Sequence, residues 1–130
     1  MNWKQRSAAV FSALALAGTG MAVSVTPAAA AGGCPAARLC IWDGPNFTGD
    51  RIASASTNAC FRPYGHAAFA HIRSYSNNLP VTARVWEPNS PTTWSVTRTL
   101  PAGGFSSDIG NPVGAGPDDY VCMGSAQPQL

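Results

Sequence analysis

Apolar and polar positions along this chain alternate over short stretches and seldom recur at helical spacing. In Trp94-Ser95-Val96-Thr97-Arg98-Thr99-Leu100 the alternation puts Trp94, Val96 and Leu100 on one face and Ser95, Thr97 and Thr99 on the other, the pattern of a half-buried strand. Val81-Thr82-Ala83-Arg84-Val85 reads the same way, and Leu39-Cys40-Ile41-Trp42 and Tyr120-Val121-Cys122-Met123 are shorter apolar runs. Turn chemistry bounds each of them: Asp43-Gly44-Pro45-Asn46, Pro88-Asn89-Ser90-Pro91, Pro101-Ala102-Gly103-Gly104 and Gly110-Asn111-Pro112. The best local helix candidate, Gly65 to His71, is one Ala-rich turn. Many short strands at close spacing predict an all-β domain, either a sandwich or a Greek-key barrel.

A weak internal repeat sharpens this expectation. Ile41-Trp42-Asp43-Gly44-Pro45-Asn46 returns forty-four residues later as Val85-Trp86-Glu87-Pro88-Asn89. A repeat of that size holds about four short strands, so two repeats predict about eight strands in two packed antiparallel sheets. The Trp-Asp dipeptide also occurs in propeller blades, but two copies cannot close a propeller. Coincidence of strand and turn vocabulary is the plainer alternative.

The N-terminus changes the composition that matters. Lys4 and Arg6 precede an apolar run from Ala8 to Val25, followed by Thr26-Pro27-Ala28-Ala29-Ala30-Ala31, the three-part pattern of a signal peptide cleaved after Ala30 or Ala31. A transmembrane anchor would show a longer, uninterrupted run and a basic stop-transfer flank. The expected organisation is therefore a signal peptide at 1–31 and a single domain at 32–130, with repeats at about 38–80 and 82–124. The full chain carries a formal charge of +2. Losing Lys4 and Arg6 balances six arginines against six acids and leaves the mature chain neutral. Scattered arginines make no basic stripe, which argues against nucleic acid and against a membrane surface after cleavage.

Roughly 100 residues bury a modest core, so covalent support is expected. Cys34, Cys40, Cys60 and Cys122 all follow the signal segment, and an oxidising exterior makes two disulfides the default. Three pairings are possible; proximity around Pro35 favours Cys34 with Cys40, leaving Cys60 with Cys122. Zinc is the rival use of these cysteines with His66 or His71, but no cysteine pair has the tight zinc spacing.

Trp42-Asp43-Gly44-Pro45-Asn46-Phe47-Thr48-Gly49 resembles the folded hairpin of the βγ-crystallin fold, with Trp42 and Phe47 covering the hairpin and Gly49 supplying its special backbone angle. Trp86 opens the corresponding segment of the second repeat. Within that fold, Cys34-Pro35-Ala36-Ala37-Arg38-Leu39-Cys40 is similar to the opening of the actinobacterial family of small secreted proteinase inhibitors typified by the streptomycete metalloproteinase inhibitor. Cys60, Ser74-Tyr75-Ser76-Asn77-Asn78 and Leu100-Pro101-Ala102-Gly103-Gly104 fall where such a two-motif domain would place them. The resemblance implies a secreted, monomeric, non-enzymatic βγ-crystallin-like Greek-key domain that engages an extracellular protease, a metalloproteinase in particular, through a surface loop. The prototype is understood to pin its loop with a second short-range disulfide, which this chain lacks. The candidate loop here is Glu87-Pro88-Asn89-Ser90-Pro91 and on to Thr93, braced by its two prolines.

The alternative is a non-inhibitory structural or calcium-binding module. The family's calcium motif needs paired Asn/Asp oxygens followed by Ser or Thr. Phe69 to Ser74 lacks those acceptors, whereas Asp118-Asp119-Tyr120-Val121-Cys122 keeps two carboxylates and replaces the hydroxyl with cysteine. Asp118 and Asp119 are therefore the candidate calcium ligands, and no other cofactor is expected. Catalysis finds little support: His66 and His71 have Asp108 far away in sequence, and no Gly-x-Ser-x-Gly elbow occurs. A neutral mature chain also argues against a membrane-active toxin. Asn46-Phe47-Thr48 matches a glycosylation sequon and reads as hairpin composition.

Overall fold

A computed structural model describes residues 31–66 and 68–129, so nearly all of the expected signal peptide lies outside the described residues. Eight strands follow in order: β1 Leu39–Trp42, β2 Arg51–Ser54, β3 Cys60–Phe61, β4 Ser74–Asn77, β5 Ala83–Ser90, β6 Thr93–Leu100, β7 Phe105–Ser106 and β8 Tyr120–Met123. They form two antiparallel sheets, ordered β2-β1-β4-β7 and β3-β8-β5-β6. In each half the fourth strand returns beside the first, and the third crosses to the other sheet. This order is consistent with the Greek-key arrangement that the resemblance implies. A helical turn forms at Pro63–Gly65, where Pro63 presets the first φ; Ala67, within the expected turn from Gly65 to His71, lies outside the described residues.

The run Leu39 to Trp42 is apolar throughout because β1 is covered on both faces. Leu39 and Ile41 point into the main core with Ile72, Val85, Leu100 and Val121, while Cys40 and Trp42 join Cys34 and Phe47 in a second cluster on the outside of the first sheet. Cross-strand register makes the two halves equivalent. Ile41 lies opposite Tyr75 as Val85 lies opposite Val121, and Trp42 lies opposite Ser74 as Trp86 lies opposite Tyr120.

The alternation read over Trp94 to Leu100 breaks at one residue. Arg98 pairs with Val85, but the next pair is Val96 with Trp86, leaving Thr97 as an extra residue in a β-bulge. Val85 is fully buried, so its neighbour Trp86 faces away from the core. Trp94 and Val96 therefore lie on the outer face with Trp86, Leu100 lies on the core face, and Val96 is 40% exposed. The expected grouping of Trp94, Val96 and Leu100 on one face is corrected by this bulge.

Two disulfides join Cys34 to Cys40 and Cys60 to Cys122, and no free cysteine remains among the described residues. Cys60 and Cys122 are direct cross-strand partners on β3 and β8, 4.0 Å apart at Cα, so this bridge ties the first half of the chain to the second.

Candidate functional site

The two repeats treat their hairpins differently, and one position explains it. In the first repeat, buried Ser74 donates its hydroxyl to the Gly44 carbonyl at 2.7 Å and accepts the Phe47 N–H at 3.1 Å. This folds the Asp43–Gly49 hairpin back over its own strand, with the Trp42 and Phe47 rings edge to face at 5.1 Å. The sharp fold puts Asn46 and Phe47 at φ of 56° and 58° and Gly49 at +82°, where an added Cβ would run into the Asp43 carboxylate.

In the second repeat, Tyr120 occupies the place of Ser74. Its ring stands edge-on to Trp94 at 5.9 Å and lies under the Arg62 guanidinium, whose Nε donates to the phenol oxygen at 3.2 Å. The small hydroxyl that pins the first hairpin is replaced by a bulky ring. The second hairpin does not fold back; β5 and β6 run on as an eight-residue-per-strand ribbon. Trp86 is thus the register counterpart of Trp42, but only Trp42 sits at a folded hairpin. The Trp86 indole N–H, buried on the outer face, has no hydrogen-bond partner in the structure.

The ribbon carries the candidate loop to its tip. Strand β8 covers β5 only as far as Trp86, so Pro88 lies where no strand on that side needs its missing N–H. Pro91 and Thr92 form the two-residue turn between the paired Ser90 and Thr93. Neither has positive φ, so the turn does not match the strand twist as primed turns do. A register shift between Pro88 and Ser90, at Asn89, takes up the mismatch. The tip is hydrogen-bonded within itself: the Ser90 and Thr93 hydroxyls are 2.6 Å apart, the Thr92 N–H reaches the Ser90 oxygen at 3.3 Å, and the Thr93 hydroxyl donates to the Asn89 side chain. Residues 88–93 are all exposed and uncharged.

Glu87, the first member of the candidate loop, is not part of that exposed tip. Its carboxylate turns inward and accepts the Gly114 N–H at 3.0 Å. On the other strand, the Trp94 indole N–H donates to the Asp118 carbonyl at 3.0 Å. Neither contact, spanning more than twenty residues, had a signature in the sequence.

The two adjacent acids diverge. Asp118 is exposed, while Asp119 is buried and accepts the Gly116 N–H at 2.7 Å. Burial pushes the Asp119 carboxyl above the usual carboxylate range; the Gly116 bond opposes this, and Glu87 and Asp118 add repulsion. Register also sets Cys122 opposite Arg84 as Ser76 lies opposite Cys40, so the second-repeat counterpart of Ser74 is Tyr120 rather than Cys122. Among the described residues no three His, Cys, Asp or Glu side chains gather as a metal cluster. His66 stands edge-on to Phe61, and Asp108 forms an exposed two-bond ion pair with Arg73.

The chain thus forms a disulfide-braced pair of β-sheets with one projecting ribbon that ends in an exposed, uncharged, internally hydrogen-bonded tip. The sequence profile of peptidase inhibitor family I36 matches residues 27–96, more than half of the 130-residue chain, and the chain belongs to that family. The match spans β1 to β5, the whole tip and the start of β6. No curated protein and no solved structure matches the chain. Family membership points to a peptidase partner and a non-enzymatic role. Two disulfides fit an extracellular protein, and no helix among the described residues is long and apolar enough to cross a membrane.

Proposed function

We propose that this protein is a secreted inhibitor that inserts the β5–β6 tip, residues 88–93, into the cleft of an extracellular metallopeptidase. The observation that carries the reading is the tip itself: exposed, uncharged, proline-braced and hydrogen-bonded internally at the end of a long ribbon. A peptidase cleft accepts extended chain, and a segment already held in one conformation loses little entropy on entering it. The same stiffness slows release and keeps cut ends together. Metallopeptidases are the favoured class because the Cys34-to-Cys40 opening resembles that of the streptomycete metalloproteinase inhibitor.

Titrating the purified mature protein against a thermolysin-like metallopeptidase, with a serine peptidase as control and with and without Ca²⁺, tests the reading. Stoichiometric inhibition of the metallopeptidase alone is expected in both conditions. Inhibition of the serine peptidase alone would move the target class, and inhibition of neither would remove the function.

A further inference from the structure

The ribbon outruns its own sheet, because β8 pairs with β5 from Ala83 to Trp86 and no further. Beyond that point two strands stand with no third neighbour, and an isolated two-stranded ribbon is marginally ordered in water. The tip nevertheless begins directly after one fixed contact on each strand. Glu87 takes the Gly114 N–H and Trp94 gives its indole N–H to Asp118, and both contacts land on the 113–119 loop. Pro88 pairs with Trp94 and Glu87 with Ser95, so the two contacts sit one ladder position apart just below the tip.

The loop that receives them is itself held at both ends. Val113 bridges to fully buried Ile72 by two backbone bonds of 2.7 and 3.3 Å, and Asp119 closes the other end through Gly116. Gly114, at φ +75°, has little room for a side chain, since an added Cβ would come within 3.1 Å of the Ile72 side chain, and its amide donates to Glu87.

We propose that the 113–119 loop is a non-covalent clamp that sets the inhibitory tip, and that Glu87 and Trp94 are positioning residues for inhibition. This rests on the tip being the inhibitory element. The clamp does for this chain what a disulfide across the loop would do: it removes the rocking of the ribbon that would let the tip leave the cleft or be cut there.

Three variants test it, read by inhibition constant, by cleavage within residues 88–93 under a non-target serine peptidase, and by amide exchange at Gly114. Glu87→Ala is expected to raise the inhibition constant about tenfold and to speed tip cleavage similarly, with faster exchange at Gly114. Glu87→Gln keeps an acceptor oxygen and is expected to stay within about threefold of the wild type. Trp94→Phe keeps a ring against Tyr120, removes only the donor, and is expected to weaken inhibition about threefold to tenfold with little change in melting temperature. Wild-type inhibition and cleavage resistance in Glu87→Ala, or equal losses in the Gln and Ala variants, would overturn the clamp. If the wild-type protein inhibits nothing, the inhibitory reading fails separately, and the cleavage and exchange measurements still decide whether the clamp exists.

Discussion

At the scale of single residues, the burial of Asp119 makes a prediction with a definite sign. The folded protein holds this proton more tightly than the unfolded chain, where Asp titrates near pH 4. Its contribution is therefore complete at low pH and is lost as pH rises through the raised folded value. At neutral pH the charge is a burden near Glu87 and Asp118. Asp119→Asn keeps an oxygen for the Gly116 N–H and is expected to raise the melting temperature by about 2–4 °C at pH 7, with almost no change at pH 3. Thermal unfolding followed by circular dichroism at both pH values checks this, and a fall at pH 7 would refute it.

At the scale of elements, Ser74 and Tyr120 decide between a folded and a straight hairpin. Ser74→Ala would leave the Gly44 carbonyl and Phe47 N–H without their partner in a fully buried place. The expected cost is about 2 kcal/mol, or roughly 10 °C in melting temperature, with a change in the near-ultraviolet signal of Trp42. A loss under about 2 °C would show that the Trp42–Phe47 contact closes the hairpin unaided. The strands themselves were legible from alternation and turn residues, since Leu39–Trp42 and Tyr120–Met123 form as read. The faces of β6 were not, because a bulge at Thr97 depends on what lies across the ladder. The Ser74 counterpart was likewise misaligned by two residues: cross-strand register, not residue type, makes Tyr120 its equivalent. Residues 88–93 of the expected loop are exposed, whereas Glu87 turns to a hydrogen-bond partner 27 positions away that no local pattern encodes.

For the whole molecule, the two disulfides have unequal work. Cys60–Cys122 closes a separation of 62 residues and joins the halves, whereas Cys34–Cys40 closes six. In the chain-entropy picture the first contributes about 4 kcal/mol and the second about 2 kcal/mol. Replacing Cys60 and Cys122 together by serine should therefore lower the denaturant midpoint about twice as far as replacing Cys34 and Cys40. Equal effects would mean that the unfolded chain keeps the halves together without the bridge. The folded first hairpin and the short bridge cover the outside of one sheet, while the other sheet extends its ribbon beyond its own edge. The most direct measurement replaces residues 89–92 with Gly and Ser of the same length and compares inhibition of a thermolysin-like metallopeptidase. The account predicts a loss of about a hundredfold or more with the fold intact; a wild-type inhibition constant would contradict it and move the inhibitory surface elsewhere.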